Sequence, residues 1–157
     1  MKHYLLLMTA LLSYFLIDAQ VVYEDFEAGG QLTWEAVNGT YNGIIANPDM
    51  AGINTSDNVG SYTKSGEHSF SLFRSQQGAA LDISENNIFR LQVWSPVETE
   101  VLLKLEGGGN AAEDRRQITE DSTWVEYIFD FRGKADVTTL TDIIIFFAPG
   151  NNEDSST

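Results

Sequence analysis

Residues 88–106, IFRLQVWSPVETEVLLKLE, alternate apolar and polar positions twice, with a break at Ser95-Pro96. Phe89, Leu91 and Val93 share one side of the first run, and Arg90, Gln92 and Trp94 share the other. In the second run Val101, Leu103 and Leu105 alternate with Leu102, Lys104 and Glu106. A period of two puts successive side chains on opposite sides of a sheet, whereas a helix repeats about every 3.6 residues. The stretch therefore predicts two strands, each with one face for a core and one for water or a ligand.

The same reading extends to both sides. Strand-like runs occupy residues 21–26, 31–37, 43–46, 68–74, 79–83, 88–94, 100–106, 123–131 and 140–147. In the second of these Leu32, Trp34 and Ala36 share a face. Asn38-Gly39 and Asn42-Gly43 are turn dipeptides, because Asn and Gly accept positive φ at little cost. Residues 50–62, rich in Gly, Asn, Ser and Asp, read as a long loop. Residues 111–116 fit either one turn of helix or an edge strand after Gly107-Gly108-Gly109. Short strands with frequent turn signals and no helical period predict an all-β fold, a two-sheet β-sandwich of jelly-roll type. A polar tail, residues 151–157, follows the apolar run 140–147 where a sandwich wants one more strand. The sandwich is thus expected to lack its last strand within this chain.

Residues 1–19 begin with Lys2 and His3, continue as an apolar run broken by Ser13, and end at Ala19-Gln20. That pattern is a secretory signal peptide, too short and interrupted for a permanent membrane span. The expectation is a secreted or cell-surface domain over residues 20–157, with no membrane insertion after cleavage. The chain has no cysteine, which removes disulfides and a cysteine-linked lipid anchor. A net charge of −14 disfavours nucleic acid and anionic membranes as partners.

Catalytic constellations are poorly supported. The two histidines are His3, in the leader, and His68, at a strand start; no Gly-x-Ser-x-Gly elbow or zinc-binding cluster accompanies them. The carboxylates lie mostly in loops. Gly107–Gly109 lacks the Lys-Ser/Thr of a phosphate cradle and reads as a turn. Asp25 and Glu27 share one face beside Ala28-Gly29-Gly30. They fit either an ordinary solvated strand end or the carboxylate-plus-carbonyl supply that Ca²⁺ requires. The loop bearing Asp49, Asn54, Asp57 and Asn58 lacks EF-hand spacing.

Sugar recognition needs an aromatic face beside planar hydrogen-bonding groups. Arg90, Gln92 and Trp94 supply that mixture on one face, and Lys104 and Glu106 add polar groups on the following strand. If the two strands pair, one register sets Arg90 opposite Glu106 and Gln92 opposite Lys104. If consecutive strands cross between sheets, the two sets occupy different surfaces. Trp34 and Trp124 read as packing residues, while Tyr41 and Tyr62 read as loop residues available to a loop-borne site.

The order of motifs carries a resemblance. Tyr23-Glu24-Asp25-Phe26-Glu27, Trp34, Asn47-Pro48, Gly52–Ser56 with Val59, Val93–Pro96, Leu102 with Lys104–Glu106, Trp124, Phe129–Phe131 and Ile145–Gly150 follow one another along nearly all of residues 20–157. This resembles galactose-binding-like jelly-roll carbohydrate-binding modules appended to exported bacterial glycoside hydrolases of the laminarinase-associated type. The resemblance implies non-catalytic binding of a polysaccharide, a β-glucan or related plant or algal glycan, by a module that targets an attached enzyme. It also implies a structural Ca²⁺ between Asp25, Glu27 and acidic residues of a last strand, so that the site is incomplete in this chain and further domains follow in a longer one. The alternative is a structural or adhesive β-sandwich that spaces domains of a secreted or cell-surface protein.

Overall fold

A computed structural model describes residues 21–28, 31–150 and 155–156. The expected signal peptide lies outside the described residues. Ten strands appear in chain order: β1 (Glu35–Val37), β2 (Gly39–Ala46), β3 (Asn58–Lys64), β4 (Leu72–Gln76), β5 (Ile88–Trp94), β6 (Thr99–Gly107), β7 (Asn110–Ile118), β8 (Trp124–Asp130), β9 (Asp142–Phe147) and β10 (Ser155–Ser156). One turn of 3-10 helix, Arg132–Lys134, follows β8. Among the described residues there is no α-helix, and no helix is long and apolar enough to cross a membrane.

One layer is a five-stranded antiparallel sheet in the order β1-β4-β9-β6-β7. Its inner face follows from the alternation: Val101, Leu103 and Leu105 of β6 stand opposite Phe147, Ile145 and Ile143 of β9, and all six belong to the buried core. The β6–β7 hairpin closes through Gly108 and Gly109, both at positive φ (57° and 80°), the geometry of a tight I′ turn. The second layer comes in two pieces, β10-β3-β2 and β5-β8. Tyr62 from the first piece and Val93, Tyr127 and Phe129 from the second join the same core. The polar tail thus contributes Ser155–Ser156, which pair antiparallel with Lys64 and Thr63 of β3.

Several expected elements differ. Residues 21–28 form no strand: Phe26 and Ala28 sit at φ 57° and 49°, and one carboxylate, Glu24, takes the main-chain N–H groups of Asp25, Phe26, Gln31 and Leu32. A side-chain acceptor so close in sequence competes with a sheet ladder for the same donors. The segment instead serves as filler beneath the split second layer. Tyr23 stacks on Phe89 of β5 at 5.7 Å, and the Phe26 ring lies against Gly60 of β3, where a Cβ would come within 2.5 Å of it.

The expected loop 50–62 contains the first five residues of β3, Asn58–Tyr62, held by their pairing with β2. Residues 79–83 are irregular, yet Leu81 and Ile83 are buried in the core and Leu81 N–H bonds to Leu140 O at 2.7 Å. Tyr41 and Tyr62 are strand residues, not loop residues. Both stack on Phe73, at 6.0 and 5.0 Å, so neither serves a loop-borne site. Residues 111–116 belong to an edge strand, β7.

Candidate functional site

β5 is the strand on which the site depends, and its alternation decides what it shows to solvent. Phe89, Leu91 and Val93 point to the core, which turns Arg90, Gln92 and Trp94 outward. Its partner is β8, antiparallel, with Arg90 opposite Ile128, Gln92 opposite Glu126 and Trp94 opposite Trp124. Val125, Tyr127 and Phe129 of β8 take the core side, so Trp124, Glu126 and Ile128 share the outward face with the β5 trio. Cross-strand neighbours on one face stand close enough to interact. Arg90 Nη1 meets Glu126 Oε1 at 2.6 Å, a partly exposed ion pair.

Lys104 and Glu106 do not join this face. β6 pairs with β7 and β9, not with β5, so the register that would set Arg90 against Glu106 is absent. Their side chains lie on the outer face of the five-stranded sheet, on the far side of the core. There Lys104 Nζ contacts Glu106 at 2.6 Å and Glu113 at 3.6 Å. The hydrogen bond it donates to Glu106 holds the Lys104 ammonium above its ordinary range. Neighbouring pairs, Arg115 with Glu100 and Arg74 with Glu35, make this face a lattice of ion pairs. Beneath their aliphatic stems Leu102 and Ile144 are buried although they face outward, as long charged side chains permit.

The end of the β5–β8 face is shaped by the β2–β3 loop. Asn47 is its hub: the side-chain amide donates to Ser56 O at 3.0 Å, the Asn47 carbonyl oxygen Oδ1 accepts from Asp49 N at 2.9 Å, and Asn47 N reaches Asp57 O at 2.9 Å. The loop then crosses to β8, where Trp124 Nε1 donates to Asn47 Oδ1 at 3.1 Å and to Asp49 O at 2.9 Å. Trp124 thus ties a loop to the outer face instead of packing in the core, unlike Trp34, whose ring meets Phe73 at 4.6 Å. Sequence reasoning missed Glu126 and the Asn47 loop. The alternation in residues 123–131 carried the signal for Glu126; the loop contact, spanning more than seventy residues, left none.

On the other piece of the second layer, the outward residues include small polar ones beside the exposed Ile45. Asn42, at the β-bulge of β2, donates to Ser61 Oγ at 3.1 Å and Thr63 Oγ1 at 3.0 Å. Indoles, a guanidinium, amides and hydroxyls thus line one side of the sandwich, together with the exposed Ile45 and Ile128.

The chain is similar to the solved structure of TmCBM61 in complex with beta-1,4-galactotriose, at 12% identity and a TM-score of 0.47, over 78% of this chain and 81% of that one. No protein-family model matches, and no curated protein matches.

Asp25 and Glu27 are engaged as hydrogen-bond acceptors. Asp25 Oδ1 takes Glu27 N at 2.9 Å, while the two Glu27 oxygens take the main-chain N and side-chain Nδ2 of Asn58, each at 3.0 Å. The Asn58 bonds draw the Glu27 carboxyl below its usual range. Among the described residues no three His, Cys, Asp or Glu side chains come together as a metal site.

Proposed function

We propose that this chain is a non-catalytic glycan-binding module that holds a polysaccharide along the outward face of β5 and β8. The observation that carries the reading is the row Arg90, Gln92 and Trp94 on the outward side of β5, with Glu126 and Trp124 beside it on β8. Sugars offer apolar CH faces that stack on indole rings, and vicinal hydroxyls that planar guanidinium, amide and carboxylate groups bond in pairs. Within that reading the ligand is a β-glucan or related plant or algal glycan, and the module is exported to target an attached enzyme. A calcium ion at Asp25 and Glu27 is not required by it.

One observation favours a second reading. Arg90 is already paired with Glu126 at 2.6 Å, as on a self-satisfied surface, which is what a structural or adhesive spacer would present. Affinity electrophoresis through gels loaded with laminarin, xylan, mannan or alginate separates the two. Selective retardation in one glycan supports the binding module; free migration in every gel supports the spacer.

A further inference from the structure

Trp94 and Trp124 occupy one cross-strand pair on the outward face, yet their indole N–H groups have opposite fates. Trp124 Nε1 has two acceptors, both from the β2–β3 loop. Trp94 Nε1 is buried and has no hydrogen-bond partner among the described residues. Buried indole N–H groups ordinarily find an acceptor, because leaving one unmade forfeits the bond the group had to water. The nearest hydroxyl in sequence is engaged by Val97, since Ser95 Oγ donates to Val97 O at 2.7 Å and accepts Val97 N–H at 3.3 Å. Reorienting the Trp124 ring breaks two hydrogen bonds. Reorienting the Trp94 ring breaks none.

We infer that Trp94 is the ligand-responsive ring of this face: on glycan binding it turns so that its Nε1–H donates to a sugar oxygen, while Trp124 stays fixed by Asn47 and Asp49. The inference rests on the glycan reading above and assigns the two tryptophans different roles within it. A neutral, hydroxyl-rich chain suits the task, because each sugar unit carries several acceptor oxygens within reach of a single donor. The unmade bond biases the free protein toward accepting such an oxygen, and the gain on binding appears as affinity.

The test uses ¹⁵N-labelled protein, whose three tryptophans give three indole N–H resonances, the Trp94 signal being the one absent from Trp94→Phe. Laminarin, xylan and mannan hexasaccharides are titrated in turn. The expected result is a downfield shift of the Trp94 indole proton larger than that of either other indole, with Trp94→Phe binding about fivefold to tenfold more weakly. Trp124→Phe, which loses two hydrogen bonds at a matched position, is expected to melt below Trp94→Phe. If β5 amides respond to a sugar but the Trp94 indole stays still, or Trp94→Phe binds as wild type does, this inference is overturned while the glycan reading survives. The reverse order of melting temperatures also overturns it. Binding to none of the three sugars overturns both.

Discussion

Asp114 on β7 accepts the main-chain N–H of Asp130 on β8 at 2.8 Å, joining the edge of the five-stranded sheet to the second layer. The same carboxylate receives two N–H groups of Arg116, at 2.5 and 2.7 Å, and Arg116 Nε reaches Ile128 O at 2.7 Å. The guanidinium also lies 5.4 Å from the centre of the Phe129 ring. On β7 these two residues share the core side with Ala112 and Ile118. Inward-pointing charges are one way an edge strand is kept from pairing with another molecule. Asp114→Ala should cost about 2–3 kcal/mol, since it strands a partly covered guanidinium and a main-chain donor. Urea denaturation measures this; a loss below about 0.5 kcal/mol would mean the clamp is ordinary surface chemistry.

Acid should loosen the molecule through several carboxyl groups, Asp130, Asp114 and Glu24 among them. The Arg132 side chain bonded to Asp130 holds its pKa at about 2. Burial pushes Asp114 and Glu24 up, but the N–H groups bonded to each outweigh it and leave both below their ordinary values. A carboxyl with a depressed folded pKa contributes stability that is present above its unfolded value and disappears as pH falls through the folded one. The melting temperature should therefore hold down to about pH 4, near the unfolded carboxyl values, and fall between there and about pH 2. A curve that stays flat across that window would show these bonds to be absent in solution.

Glu24 gathers most of the main-chain donors of the irregular N-terminal segment. Besides the four main-chain donors it accepts Trp34 Nε1 at 3.3 Å, which links the segment to the aromatic core. Glu24→Ala should destabilise by about 2–3 kcal/mol and speed hydrogen exchange at Phe26 and Leu32 more than at β6. Uniform protection would contradict the local role.

Gly60 is required for close approach and not for backbone freedom. An added Cβ meets Phe26 Cε1 and Cζ at 2.5 Å, and Phe26 is backed by Trp34 at 6.3 Å. Gly60→Ala should cost about 1–3 kcal/mol by overpacking. Gly78→Ala, where nothing lies within 4 Å, should be neutral or stabilising by up to about 1 kcal/mol. Thermal melts of the two variants side by side check the contrast.

Much of this architecture was legible because alternation is a local signal. The strand read at residues 88–94 is β5 without adjustment, since Phe89, Leu91 and Val93 need only one apolar face to define it. Residues 21–26 looked like a strand by composition, but the Glu24 carboxylate captures the donors a ladder would use. β3, NVGSYTK, is poor in apolar residues and is held by register with β2, a relation with no signature inside the segment. For the site, the outward trio Arg90, Gln92 and Trp94 was readable from parity alone. Lys104 and Glu106 were not separable from it, because parity gives a side of a strand and not the sheet to which the strand belongs.

Glycan held on the β5–β8 face, and not on the five-stranded sheet, is the central claim. Affinity electrophoresis of two double variants addresses it: Arg90→Ala with Gln92→Ala on β5, and Lys104→Ala with Glu106→Ala on the opposite side of the core. In the glycan that retards the wild-type protein, the β5 variant should migrate freely while the β6 variant remains retarded. Retention by the β5 variant together with loss by the β6 variant would contradict the assignment and move the binding face to the five-stranded sheet.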